Sequence, residues 1–154
     1  MLRSAALINR KGIVMVHGEE ISLSTKGFSD IHDLTRRVQQ IVENSGVANG
    51  IAVVFVTGST ASVSTMEFEP ALVEDVRDHI EKLAPHTMRT RHSETWGDDN
   101  GFSHIRATLM GPGISVPVAN GELVLGTWQQ IVLIDHDNRP RTRKVFVQVL
   151  GEKT

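Results

Sequence analysis

The sequence predicts an α+β fold in which mixed or antiparallel β-sheet layers pack with two main helices. Two stretches carry apolar residues at helical spacing, one through Leu34, Val38, Ile41 and Val42, the other through Leu72, Val73, Val76, Ile80 and Leu83. A nearly continuous β-branched run, "GIAVVFVT", lies between them. Later, "ISVPVANGELVLG" places Asn-Gly between two apolar runs, which is the strongest short hairpin signal. Strands, two longer helices and late hairpins together make the α+β class. With 154 residues and 40% apolar content, the chain is expected to form a single domain over 1–154.

In chain order, "GIVMVHGEEISLST" alternates loosely and breaks at His17 and Gly18, which predicts two strands or a hairpin. A helix is expected over roughly Asp30 to Asn44, with Ile31 and Leu34 on its apolar face, Ser29 or Asp30 as cap and Gly46 as its end. The β-branched run is expected to be buried on both faces and central in a sheet. "STASVSTMEFE" reads as the next strand, and a second helix starts at Pro70 and ends near Pro85. The segment "TRHSETWGDDNGFSHIRA" shows no apolar period before Phe102 and reads as a loop, followed by a short helix in "FSHIRATLMG" closed by Gly111. After the Asn-Gly hairpin, "WQQIVLID" and "KVFVQVLG" are expected to pair as strands joined by the polar "HDNRPRT".

Composition narrows the function classes. Sixteen basic and eighteen acidic residues are mixed throughout, leaving a formal charge of -2 and no basic stripe for a phosphate backbone. Nucleic acid is therefore not an expected partner. No apolar run is long enough to span a bilayer, and the apolar stretch before Asn9 and Arg10 is too short for a secretory signal, so no membrane partner and a cytoplasmic location are expected. The absence of cysteine leaves nitrogen and oxygen donors for any metal site.

The chemistry concentrates between Thr90 and Ala107, where His92 and His104 flank Glu94, Asp98, Asp99 and Asn100. Imidazole with carboxylate suits zinc or another divalent ion; the alternative is that each histidine only satisfies loop backbone. Trp96 is expected to plug onto the core, with a flat ligand or a partner subunit as the other reading, and Trp128 is expected to be packed. Arg139, Arg141 and Arg143 carry forks able to grip phosphate. "TGSTAS" brings Ser59 and Thr60 to a glycine-containing turn that can face an anion. His17, His32, His79, His86 and His136 have no comparable surroundings and are assigned to the surface.

Taken together, these residues resemble the YjbQ-like family, whose members are described as secondary thiamine-phosphate synthases. The likeness runs through "DLTRRV", "SGVANG", "EPALVEDV", "RHSE", "GDDNGFSHIRATLMG", "VPVANGELVLGTWQQI" and the closing arginines. It implies a homotrimer with a polar pocket near a subunit boundary, and a reaction joining a pyrimidine pyrophosphate to a thiazole phosphate with release of pyrophosphate. It also implies catalytic roles for His92, His104, Asp99 and Gln129, and a divalent ion, zinc or magnesium, on His92, His104 and Asp99 or Glu67. The phosphorylated ligand would meet Ser59, Thr60, Asn100, Trp96, Arg141 and Arg143. The alternatives are a metal-dependent phosphometabolite hydrolase and a non-catalytic trimer that binds an anionic metabolite. One departure stands out: many members carry histidine where this chain has Gly58 before Ser59-Thr60-Ala61.

Overall fold

The computed structural model describes residues 5–9 and 12–153. The chain runs β1 (Ala5–Asn9), β2 (Gly12–Thr25), β3 (Asp30–Asp33), α1 (Thr35–Ser45), β4 (Asn49–Val56), β5 (Ala61–Met66), α2 (Pro70–Leu83), α3 (Arg91–Trp96), α4 (Gly101–Met110), β6 (Gly113–Ala119), β7 (Glu122–Leu123), β8 (Gln130–Asp135) and β9 (Arg141–Glu152). A six-stranded sheet has the order β1-β2-β9-β4-β6-β7, and a three-stranded sheet has the order β3-β8-β5. Every described strand pair is antiparallel. The α+β class holds, in its antiparallel form.

β8 determines the layering. Ile131 and Leu133 join a core cluster with Val38 and Val42 of α1, Val54 and Val56 of β4, and Val145 and Val147 of β9. Val132 and Ile134 point the other way, onto Ile31, Val73, Val76 and Met110. A strand apolar on both faces needs cover on both, so the three-stranded sheet lies between the six-stranded sheet and the outer helices α2 and α4. This corrects two expectations. β4 is central in its sheet but buried on one face: Ala52, Val54 and Val56 are fully buried, whereas Val53 and Phe55 are 37% and 45% exposed. β8 and β9 do not pair, because β9 alternates between buried and exposed residues and needs one cover only; residues 136–140 cross from one sheet to the other.

Other differences have local causes. β2 is one uninterrupted strand that pairs with β9 from Val14 to Thr25. Gly18 does not break it. It makes room for the Phe146 ring, whose Cζ would lie 2.6 Å from a β-carbon there. α1 starts at Thr35, five residues later than expected, because Asp30–Asp33 spends its backbone on the ladder with β8. Asp33 Oδ1 then accepts from the Thr35 N–H at 2.8 Å and from its hydroxyl at 2.6 Å. Gly46 ends the helix as expected, with φ 67°. α2 begins at Pro70 beneath the Glu69 carboxylate, which accepts from the Ala71 and Leu72 N–H groups. Asn120 and Gly121, with φ 53° and 80°, turn the expected hairpin from β6 into a two-residue β7. No strand was expected over β1. No helix among the described residues is long and apolar enough to cross a membrane.

Candidate functional site

The segment read as a loop is two helices joined by a tight turn. α3 has no buried residue, so it carries no apolar period to announce it. Its start is set by Thr90, whose hydroxyl oxygen accepts from the Ser93 N–H at 3.1 Å. α3 and α4 bring the His92 and His104 rings into edge-to-face contact, with centroids 4.5 Å apart. His92 Nε2 is buried and has no hydrogen-bond partner among the described residues. The carboxylate beside it, Asp98, stands 3.9 Å away. Asp98 is itself held in place: Asn100, with its amide nitrogen turned inward, donates to both carboxylate oxygens at 3.1 and 3.2 Å. Asn138 donates to the Asp98 carbonyl at 2.8 Å.

Asp99, the expected third ligand, goes elsewhere. It takes φ 52° and lines a separate groove of about 490 Å³ with His86, Thr90, Ser93 and Glu94. The orphaned His92 Nε2 is the kind of atom a metal ion would take. However, no group of three His, Asp or Glu side chains converges to hold one among the described residues. The set His92, His104 and Asp99 therefore does not fit a divalent ion within one chain.

On its other side His104 lines a groove of about 210 Å³ with Gly58, Ser59, Ala61, Ala107, Thr108 and Pro112. Gly58 has φ 155°, and a β-carbon on it would lie 3.1 Å from Arg143 Nη1. Behind it runs a strip, Asp135, His136 and Asp137, that is fully buried. Arg143 forks onto Asp135, with Nε at 2.8 Å and Nη2 at 2.6 Å, and Nη2 also donates to the Thr60 hydroxyl at 2.7 Å. The Thr25 hydroxyl donates to the same Asp135 carboxylate. Asp137 accepts from the Thr60 hydroxyl and from Arg141 Nε, each at 2.9 Å. Burial alone would raise the Asp137 carboxyl, but the bonds from Arg141, Thr60 and the Asn138 N–H outweigh it and hold the group below the usual range. The Thr60 hydroxyl and the Arg141 Nε are thus committed internally, as is most of the Arg143 fork.

His136 corrects its assignment to the surface. Its ring is clamped between the Ser29 hydroxyl on Nδ1, at 3.0 Å, and the Ser62 hydroxyl on Nε2, at 3.2 Å. Burial first, and then the Arg106 charge, push its pKa down to about 4, so the ring is neutral near pH 7. Arg106 is buried as well, donating to the Ser29 hydroxyl, the Ala84 carbonyl and Glu81. Sequence reasoning missed both residues. The available signal was the doubly apolar "IVLI" run leading straight into "DHD", which carries burial into three polar residues.

Comparison with known proteins identifies the family. The family model described as "UPF0047 protein YjbQ-like" matches residues 19–152. The chain belongs to this family. A UPF0047 protein of Archaeoglobus fulgidus is 37% identical over 131 residues, 85% of this chain and 99% of that protein. One from Synechocystis is 35% identical over 153 residues, covering 99% of each. A crystal structure from Sulfolobus solfataricus, described as a YbjQ-like protein of unknown function, superposes with TM-score 0.85 at 37% identity and covers 90% of this chain and 99% of that one. A YjbQ/UPF0047 protein of Clostridium acetobutylicum gives TM-score 0.78 at 36% identity, covering 85% and 98%.

Within this YjbQ-like fold the motif residues fall into separate groups. His92 and His104 meet between α3 and α4, with Asn100 on the neighbouring Asp98, and Arg143 lies beneath Gly58. Gln129 stands apart, donating to the Thr65 hydroxyl at 3.1 Å near the far end of β5, about 13 Å along the strand from Ala61. Both tryptophans overturn their expected burial: Trp96 is 73% exposed and Trp128 is 72% exposed. α3 lacks an apolar face to seat Trp96, and the turn before β8 leaves Trp128 outside the core.

Proposed function

We propose that this protein acts on a phosphorylated small molecule at the His92–His104 pair. The reaction is thiamine-phosphate synthesis, joining a pyrimidine pyrophosphate to a thiazole phosphate with release of pyrophosphate. One observation carries this reading: His92 Nε2 is buried, unpartnered and in ring contact with His104. Such an atom costs about 1–3 kcal/mol, which is tolerated where a ligand supplies the partner. Departing pyrophosphate needs its developing charge met by donors, and two imidazoles a ring-width apart supply them. Trp96 lies one helical turn from His92, its exposed ring free to lie on a heteroaromatic ring. No step here passes through a metal ion, since the ligand set does not close within the chain.

Gly58, in place of the histidine that the family resemblance implies for many members, favours the second reading, a trimer that binds an anionic metabolite without turnover. The test is to supply both phosphorylated substrates to the purified protein and quantify thiamine phosphate, with a phosphoester panel in parallel. The synthase reading expects product from the wild type and at least tenfold less from His92→Ala and His104→Ala. Phosphoester cleavage without thiamine phosphate would make the protein a hydrolase, and binding without either product would make it a carrier.

A further inference from the structure

We propose that Asp98 is the positioning residue of the histidine pair. It keeps the His92 proton on Nε2, while Asn100 and Asn138 hold its carboxylate too far off to take that N–H as a hydrogen bond. The inference rests on the reading of His92 as a donor to the ligand and says what keeps the donor ready. It moves the carboxylate's role from Asp99, which the family resemblance implies, to its neighbour. The turn between α3 and α4, with Gly97 at φ 67° and Asp99 at φ 52°, sends the two side chains to different places. Asp98 Oδ2 stands 3.9 Å from His92 Nε2, whereas Asp99 lines the groove of His86 and Glu94. A separation of 3.9 Å is longer than an N–H···O hydrogen bond but well within reach of a charge. With the proton on Nδ1, the buried Nε2 would turn a lone pair toward a carboxylate oxygen, acceptor facing acceptor. With the proton on Nε2, the N–H dipole points at the anion, and this tautomer is the one favoured. Because Asp98 does not consume that N–H, it stays available to an arriving oxyanion.

Two separate elements keep Asp98 from closing the gap. Asn100, 8% exposed at the head of α4, donates its amide to Oδ2 and Oδ1 of Asp98 at 3.1 and 3.2 Å, and its own carbonyl accepts from the Ser103 N–H at 2.9 Å. Asn138, in the segment that crosses between the sheets, donates to the Asp98 carbonyl at 2.8 Å. Its N–H is in turn held at 2.8 Å by the buried Asp137 carboxylate, which Arg141 pairs. The distance from Asp98 to His92 is thus tied both to α4 and to the buried strip after β8. Asn100, placed on the ligand by the family resemblance, is spent on Asp98 instead.

The experiment reads the His92 ring nitrogens by NMR in ligand-free protein, at a pH high enough that the ring signals no longer change. Wild type, Asp98→Ala, Asp99→Ala and Asn138→Ala are compared. The wild type should carry the proton on Nε2. In Asp98→Ala the ratio of the two tautomers should fall by about tenfold, and in Asp99→Ala it should stay as it was. Asn138→Ala releases the carboxylate, so the Nε2 proton should move downfield as a direct bond forms, and added inorganic pyrophosphate should bind about tenfold more weakly. A change in fold alone would not move that proton downfield. If Asp98→Ala does not fold, Asp98→Asn, which keeps the shape without the charge, gives the same comparison. A wild-type proton on Nδ1, an unchanged ratio without the Asp98 charge, or an equal change in Asp99→Ala overturns the role of Asp98. An unmoved Nε2 proton in Asn138→Ala overturns the stand-off. A proton held on Nε2 by Asp98 without thiamine-phosphate formation would sink the synthase reading and leave the role of Asp98 standing; wild-type turnover in Asp98→Ala would do the reverse.

Discussion

His136 carries the clearest pH dependence of any single residue. Its pKa in the fold is about 4 against an ordinary 6.5, so between those values the unfolded chain binds a proton that the folded chain refuses. Stability is complete above pH 6.5 and falls as pH drops toward 4, by up to about 1.4 kcal/mol per pH unit. Glu81 and Asp137, held below their ordinary values, add a further loss at lower pH. Urea unfolding at pH 7, 6 and 5 should show this slope, and His136→Asn, with no ring to titrate, should show a shallower one. Equal slopes would remove His136 as the cause. At Gly58 the positive φ and the nearby guanidinium argue the same way: Gly58→His should cost about 1–3 kcal/mol and should not tighten divalent-ion binding. Unchanged stability with clearly tighter metal binding would reverse that. The two residues differed in legibility. Gly58 stood out between two strands as a turn, whereas nothing marked His136 until β8 was known to be buried on both faces.

At the level of elements, legibility followed burial. α2, the Asn-Gly hairpin and α4 were visible because a proline, a turn dipeptide or an apolar stripe announced each. α3 was invisible because it buries nothing. The start of α1 was misplaced because Ile31, which fits the helical spacing, belongs to a strand facing the outer helices. Leu34, 1% exposed at the head of α1, still belongs to the main core, and Leu34→Ala should lower stability by about 2–5 kcal/mol. An unchanged denaturation midpoint would mean that α1 does not anchor the sheet. Glu69→Ala tests the cap of α2, and a loss of about 1 kcal/mol is expected from two N–H groups left without their carboxylate.

For the whole molecule, the open question is what covers the outer face of the six-stranded sheet. Val53, Phe55 and Leu150 stand there 37%, 45% and 40% exposed, and the apolar run that suggested a doubly buried strand is satisfied if another copy supplies the second cover. Light scattering at micromolar concentration should give a trimer, and Phe55→Lys should shift it toward monomer. A stable wild-type monomer would refute the assembly. The pair itself is decided by whether both imidazoles meet the ligand together. Ring nitrogen NMR signals of His92 and His104 should move in step during a pyrophosphate titration, with one dissociation constant, while the exposed His79 stays still. Pyrophosphate that binds while both rings stay unmoved would place the chemistry elsewhere in the fold.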